Sequence, residues 1–285
     1  MYKQFSETIN PGDKVIIGLG DSFTQGVGAY STESWRALDG PPYNVTGYQY
    51  IDEQQKNNWL SQLRDNHLPD YKIINLGING IGNRAAVKEL YLNALPKDAK
   101  DVIIVFMISG INRIDFLKNN EELTSHMRWQ TLWPIRRNHA PIAKMEKEYL
   151  EQVYSVQGAV IELLLTIAEA QTFANANGYK FAFGSAFDDY VDPHMVCGIL
   201  DKQKDLAEIV DWNNFIRPKG YKTFMEMMRN LESDKDCIKT HWYSYCGKLT
   251  EPSEYLTPCS HWSIKGQATA AEEIYKHLVK NEFCI

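Results

Sequence analysis

The chain has 285 residues, of which 44% are hydrophobic and 23% charged, and its formal net charge is −6. This composition is sufficient for a large buried core, and the acidic balance argues against a nucleic-acid-binding protein. The N-terminus carries no apolar stretch of the secretory type, and no apolar run approaches the length of a membrane span. We therefore expect a cytoplasmic or virion-associated protein that does not bind membranes, with its five cysteines mostly reduced.

The first half of the chain alternates between strands and helices. An apolar, β-branched run begins at Val15 and predicts a buried strand that stops at a glycine pair. An amphipathic helix is predicted over 52–67, a second strand over 72–76, a helix over about 84–94 and the strongest strand over 101–108. This alternation favours βαβ units and a parallel sheet.

The second half has fewer regular patterns. A long helix is predicted over about 143–176, a fourth strand over 180–185 and a last helix over 263–280. Residues 113–141 and 187–257 show no clean period, so we interpret them as two insertions within a single domain that spans the whole chain. Because both follow predicted strands, we expect them to cover the functional edge of the sheet.

Glycines and small polar residues follow three of the predicted strands. Gly20-Asp21-Ser22 follows the first strand, Gly80 lies in the turn after the second, and Asn112 comes after the third. His261 precedes the last helix. Because the carboxyl ends of strands in an open α/β sheet form the ligand-binding edge, we expect these residues to lie close together. For Ser22 alone, two interpretations stay open: a nucleophile, or a serine that only caps a helix.

Four such blocks in this order resemble the SGNH (GDSL-type) hydrolase family, over residues 14–112 and 258–275. The resemblance implies a flavodoxin-like three-layer α/β/α sandwich with a mostly parallel central sheet. It also implies that Ser22 is the nucleophile and His261 the general base. The oxyanion hole would consist of the backbone N–H groups of Ser22 and Gly80 and the side-chain amide of Asn112. The implied reaction is hydrolysis of a carboxylic ester through an acyl-serine intermediate, without a cofactor or metal.

The histidine block departs from the family pattern. The family usually carries an aspartate three residues before the histidine, where this chain has Pro258. A histidine base needs an acceptor for its second ring proton, and proline has no side-chain acceptor. We expect a backbone carbonyl in the turn 257–260 to accept this proton, rather than the carboxylates of Glu251 or Glu254.

A second departure lies in the third block, where Arg113 follows Asn112 instead of the acid that is common in the family. We expect it to affect only local packing or the charge presented to a substrate. Nearby, Trp129, Trp133 and Arg136 are candidates for binding an acidic sugar by stacking and pairing, although a solvated loop explains them equally well.

The substrate expected from this reading is a small-molecule or glycan ester, most simply an O-acetyl group on a carbohydrate. The alternative is a catalytically silent SGNH fold that serves binding or assembly, for instance in a phage particle. The oligomeric state stays open.

Three other kinds of site fit the sequence less well. An α/β-hydrolase needs G-x-S-x-G, whereas Thr24 occupies the last glycine position and the serine lies close to the N-terminus. A dinucleotide site needs G-x-G-x-x-G, and Phe23 stands in place of the third glycine. The residues that could form a zinc site have spacings that fit no standard pattern; they are Cys237, His241, Cys246, Cys259 and His261.

Overall fold

A computed structural model of the chain has a parallel four-stranded sheet at its centre. It describes residues 7–31, 33–34, 51–93, 95, 98–111, 113–117, 129–132, 148–149, 152–186, 205–232, 253–257 and 261–284. The strands are β1 (Lys14–Leu19), β2 (Tyr71–Asn75), β3 (Asp101–Ile108), β4 (Ile114–Leu117), β5 (Trp129–Leu132) and β6 (Lys180–Ser185). The helices are α1 (Ser22–Gln25), α2 (Ile51–Asn57), α3 (Trp59–His67), α4 (Asn83–Leu92), α5 (Val156–Ala176), α6 (Asp205–Glu208), α7 (Phe224–Leu231) and α8 (Ile264–Lys280).

The central sheet has the order β2-β1-β3-β6, with all three pairings parallel. This is the order of the first four strands in flavodoxin-like folds. The α/β fold class predicted from the sequence is therefore confirmed. Since the strands are parallel, their carboxyl ends meet at one edge, which we call the carboxyl edge. The opposite edge, where the strands begin, is the amino edge.

Side chains of the strands alternate between two buried layers. On one face, Ile17 and Phe106 lie in a core cluster with residues of α4 and α5. On the other face, Ile16 and Val105 lie in a cluster with residues of α3, α7 and α8. Strands covered on both faces need continuous apolar runs, which is why β1 and β3 stand out in the sequence.

The two outer strands of the sheet are each covered by a short contact. At β2, the Glu7 backbone N–H donates to the Ile73 carbonyl at 3.2 Å, and the Ile73 N–H donates to the Glu7 carboxylate at 2.9 Å. At β6, Phe215 forms a parallel bridge with Phe183, and the Ile216 N–H donates to the Phe183 carbonyl at 2.7 Å. Residues 205–232, assigned to the second insertion, thus pack along β6 and contribute to the core.

Two predicted helices begin or end differently in the structure. The helix predicted over 52–67 is divided at Asn58, whose backbone is extended. The Asn58 side-chain oxygen caps α3 by accepting the Ser61 N–H at 2.9 Å. The helix predicted from about 143 is interrupted: residues 148–149 and 152 are helical, and α5 begins afresh at Val156, where the Ser155 side chain caps it by accepting the Gly158 N–H at 2.9 Å. Short polar side chains therefore set both boundaries.

Residues 113–141, predicted to lack regular elements, contain the antiparallel pair β4 and β5. Asp115 on β4 ties this pair to the start of α4. Its carboxylate accepts the N–H groups of Gly82 at 2.9 Å and Ala85 at 3.2 Å, and the Thr131 hydroxyl at 2.6 Å. A carboxylate at a helix N-terminus satisfies N–H groups that lack partners within the helix. Among the described helices, none is both long and apolar enough to cross a membrane.

Candidate active site

Ser22 lies in a tight turn at the carboxyl end of β1. Gly20 adopts φ +145°, and a Cβ atom added there would lie 2.6 Å from the Met107 carbonyl oxygen, so the turn requires glycine. Asp21 caps α1 by accepting the Phe23 N–H at 3.1 Å. Ser22 is the first residue of α1 and is only 3% exposed. Asp21, not Ser22, is thus the residue that caps this helix.

His261 reaches the same turn from the other end of the chain. Its Nε2 lies 2.8 Å from the Ser22 Oγ, a hydrogen-bonding distance between residues 239 positions apart. The Thr257 N–H and hydroxyl both donate to the His261 carbonyl, at 2.9 and 3.0 Å, and the Phe23 ring lies 4.9 Å from the imidazole. An imidazole at this distance can accept the hydroxyl proton of a serine, which is the arrangement that activates a serine nucleophile.

The turn after β2 is attached to α1. The Asn79 N–H donates to the Gln25 side-chain oxygen at 2.6 Å, and the Asn75 side-chain amide donates to the Thr24 carbonyl at 2.9 Å. Gly80, in this turn, adopts φ +83°. The structure therefore brings the Gly80 turn beside the Ser22 turn, as the sequence blocks predict. Asn112 lies outside the described residues, and its proposed oxyanion role stays a prediction.

Arg113 occupies a position that the sequence did not predict. Its guanidinium donates to the Asp21 carboxylate at 2.6 Å and to the Ile81 carbonyl at 2.8 Å. The side chains of Arg113 and Asp21 are 5% and 0% exposed. Burial raises the pKa of the Asp21 carboxyl, and the Arg113 charge opposes this rise. Of the two effects expected for Arg113, this placement agrees with local packing, because its charge is paired with Asp21 inside the protein.

Trp129 is the one candidate sugar-binding residue that the structure describes. Trp129 lies in β5 and is 5% exposed, and its indole N–H donates to the buried Glu89 carboxylate at 2.7 Å. An indole held in the core cannot stack on a sugar, so the stacking role does not suit Trp129. Trp133 and Arg136 lie outside the described residues.

Two of the residues considered for the orientation of His261, Pro258 and Glu251, lie outside the described residues. Glu254 is described, and its carboxylate pairs with Lys265 at the surface, where the Glu254 side chain is 41% exposed. This pairing agrees with the expectation that Glu254 is not the orienting group. The backbone carbonyl in the turn 257–260 stays a prediction.

Within the part of the chain that is described, no three histidine, cysteine or acidic side chains are grouped to hold a metal ion. The cysteine and histidine residues weighed above for zinc, apart from His261, lie outside that part. They are Cys237, His241, Cys246 and Cys259.

No protein-family model and no curated protein matches the chain. Among solved structures, the chain is similar to a protein attributed to the lipolytic G-D-S-L family from Desulfitobacterium hafniense DCB-2. The TM-score is 0.43 at 12% identity, over 93% of this chain and 100% of that chain.

Two further similar structures are esterases. An acetylxylan esterase from Geobacillus stearothermophilus gives a TM-score of 0.41 at 14% identity, over 95% of each chain. The esterase EstA from a Pseudoalteromonas species gives 0.41 at 13% identity, over 95% of this chain and 99% of that chain. Because these scores are low, the fold class rests on the chain's own strand order. In that strand order, and in the placement of its serine and histidine, the chain resembles the SGNH (GDSL-type) hydrolases.

Proposed function

We propose that the chain is a hydrolase of carboxylic esters, with Ser22 as the nucleophile and His261 as the general base. The observation that carries this proposal is the 2.8 Å distance between the Ser22 Oγ and the His261 Nε2. The tight turn at Gly20 and the pairing of Asp21 fix the serine, and Thr257 fixes the histidine backbone. A serine that only stabilised the turn would not need a histidine at this position.

The proposed reaction has two steps. The Ser22 oxygen attacks the ester carbonyl carbon while its proton passes to His261 Nε2, and the carbonyl oxygen becomes an oxyanion. The C–O bond to the alcohol then breaks, and His261 returns the proton to the departing alcohol oxygen. In the second step, His261 takes a proton from water, the hydroxide attacks the acyl-serine, and Ser22 leaves as the protonated hydroxyl.

The oxyanion needs donors that are in place before the reaction. We assign this role to the N–H groups of Ser22 and Gly80 and the side-chain amide of Asn112. The hydrogen bond from the Asn79 N–H to Gln25 supports this assignment for Gly80, because it holds the peptide next to Gly80 against α1. Removing one donor of this kind typically lowers turnover roughly 10²–10³-fold, so we expect a loss of that size for Asn112→Ala.

A cavity of about 440 Å³ lies between the starts of α4 and α5 and is bordered by Ile111, which adjoins position 112. Tyr149 and Tyr154 also line it. Tyrosine rings beside polar groups suit a sugar ring, since carbon faces of sugars pack on aromatic rings while hydroxyls hydrogen-bond. The finer proposal is that the ester is an O-acetyl group on a carbohydrate. The cavity, which Arg113 also lines but Ser22 and His261 do not, would take the sugar beside the reacting atoms.

A fluorophosphonate probe, which phosphonylates activated serines, tests the reaction class. We expect labelling of the wild type that is lost in Ser22→Ala and in His261→Gln. Ser34→Ala is the matched control for the serine, because its hydroxyl contacts Ser31 and Glu53 away from His261. His277→Gln is the control for the histidine. Absence of labelling in the folded wild type contradicts the esterase and favours a binding protein.

A panel of esters tests the substrate class separately. We expect kcat/KM to be highest for acetyl esters and to fall as the acyl chain lengthens, and to be higher for an acetylated oligosaccharide than for an aryl acetate. A preference for long acyl chains contradicts the carbohydrate proposal while leaving the esterase intact.

A further inference from the structure

Arg113 contacts all of the strand-end turns that would form the oxyanion hole. Its own backbone belongs to the turn after β3. One nitrogen of its guanidinium donates both to Asp21, in the turn after β1, and to the carbonyl of Ile81, in the turn after β2. A single buried side chain therefore joins the three turns beyond the ends of the hydrogen-bonded strands.

Each of these contacts adjoins a proposed oxyanion donor in the sequence. Asp21 directly precedes Ser22, and its other carboxylate oxygen accepts the Phe23 N–H at 3.1 Å. Ile81 directly follows Gly80, and Arg113 directly follows Asn112. Movement of the guanidinium would therefore displace the Ser22 and Gly80 donors relative to one another.

We propose that Arg113 is a positioning residue that holds two oxyanion donors, the N–H groups of Ser22 and Gly80, in register through its contacts with Asp21 and Ile81. This inference rests on the proposed esterase function. A guanidinium suits the role because its donors lie in one rigid plane, whereas a lysine ammonium is a flexible point charge. Small misplacements of catalytic groups are costly, since about 1 Å can lower the rate roughly 10²-fold.

Arg113 borders the cavity described above, but its guanidinium donates to Asp21 and Ile81, so the kinetic test below is what separates positioning from direct contact with the substrate. Its side chain is 5% exposed and its charge is paired with Asp21. Other contacts also join the turns, including the Asn83 side chain, which accepts the Ser109 N–H at 2.7 Å and donates to the Ser109 carbonyl at 3.1 Å. We therefore expect variants of Arg113 to fold and to lose kcat rather than substrate affinity.

Two variants test this without leaving a buried charge alone. Arg113→Lys keeps the charge and removes the planar donors, and the double variant Asp21→Asn with Arg113→Gln replaces the ion pair by two amides. In both we expect kcat to fall roughly 10²-fold, with KM within about threefold of the wild type. The rate of phosphonylation should fall in parallel, because the phosphonyl oxygen occupies the same hole.

Arg64→Lys is the matched control, since Arg64 forms an ion pair of the same 2.6 Å length with Glu7, outside the turns at the carboxyl edge. It should leave kcat unchanged. Wild-type kcat in both Arg113 variants overturns the inference while the esterase function stands. A raised KM with unchanged kcat also overturns it, because this would show that Arg113 binds the substrate.

A second measurement does not depend on turnover. Amide hydrogen exchange in 20–25 and 78–82 should be faster in Arg113→Lys than in Arg64→Lys, because the two turns lose their common anchor. If the wild type neither hydrolyses esters nor reacts with the probe, the proposed function fails and this exchange still tests the positioning role. Equal exchange in both variants overturns it.

Discussion

The two edges of the sheet both carry an ion pair on a strand-end aspartate, but the pairs are built differently. At the carboxyl edge, Asp21 and Arg113 are 0% and 5% exposed. At the amino edge, Asp101 at the start of β3 pairs with Lys180 at 3.0 Å, and these side chains are 22% and 37% exposed. Asp101 also accepts the Tyr71 hydroxyl at 2.7 Å, and Lys180 donates to the Phe283 carbonyl at 2.6 Å.

The buried pair at the carboxyl edge fixes the turn that holds Ser22, whereas the exposed pair at the amino edge holds the segment after α8. A buried pair is weak evidence for stability, because desolvation offsets the attraction, but removing one partner is expensive. Such a pair tolerates little movement, which suits the turn that holds Ser22. The amino-edge pair remains in contact with water and holds the residue after α8, where small movements have no chemical consequence.

The largest expected difference between the edges comes from removing each aspartate charge. Asp21→Asn leaves the Arg113 charge buried without its partner, and we expect the free energy of unfolding to fall by about 3–5 kcal/mol. Asp101→Asn should cost only about 1–2 kcal/mol, because water can solvate Lys180. Chemical denaturation of both variants measures the two losses. Similar losses would show that burial does not distinguish the edges.

A smaller difference is expected from two glycines with positive φ. Gly20→Ala places a Cβ atom 2.6 Å from the Met107 carbonyl oxygen and still closer to the Thr24 hydroxyl, so we expect a loss of about 2–4 kcal/mol. Gly178, before β6 at the amino edge, has φ +69° and no atom within 4 Å of an added Cβ. Gly178→Ala should therefore cost only the backbone strain, about 1–2 kcal/mol. Thermal unfolding of both variants checks which substitution costs more stability. A larger loss in Gly178→Ala would show that the packing around Gly20 is loose.

The pH dependence of stability should reflect His277, in the last turn of α8, rather than the ion pairs. Burial, with repulsion from Lys280, lowers the pKa of His277 to about 4. Because an unfolded histidine titrates near about 6.5, the unfolded chain takes up this proton first as the pH falls. The contribution is therefore fully present above pH about 6.5 and is lost as the pH falls to about 4.

His277→Gln should remove this part of the pH dependence, so that the fall in Tm between pH 7 and pH 5 becomes a few degrees smaller than in the wild type. Tm measured at both pH values for each protein gives the comparison. An equal fall in both proteins would mean that His277 is not the titrating group.

The smallest effect is expected from Lys180→Met. Its pair with Asp101 is partly exposed, and such pairs contribute about 0–1 kcal/mol. We expect a change of that size in the free energy of unfolding and no change in ester hydrolysis or probe labelling. A large loss of labelling would show that the amino edge is coupled to the Ser22 turn.

The sequence predicted the parts of the fold that depend on local patterns. The bounds of β3 and β6 agree with the prediction because continuous apolar runs are strong signals of buried strands. Ser22 and His261 were found through their sequence blocks, and the structure places them in contact. The blocks that follow β1, β2 and β3 come together because parallel strands end at the same edge of the sheet.

Other features depend on contacts between distant residues. The ion pair of Arg113 joins positions 92 residues apart, and no local pattern indicates whether a loop arginine points inward. The only sequence feature that marked Arg113 was that it stands where the family commonly has an acid. For Trp129, the sequence left sugar binding and a solvated loop equally open, whereas the Glu89 carboxylate accepts its indole N–H inside the core.

The short contacts that cover the outer strands β2 and β6 have a consequence for the protein at high concentration. An unpaired strand edge can act as a template for another chain, and β2 and β6 are the outer strands of the sheet among the described residues. Glu7 occupies the backbone groups of Ile73 on one side, and Ile216 occupies the Phe183 carbonyl on the other. Conditions that detach residue 7 should therefore promote self-association through β2 before the core unfolds, whereas detaching Phe215 and Ile216, which are buried in the core, already opens it.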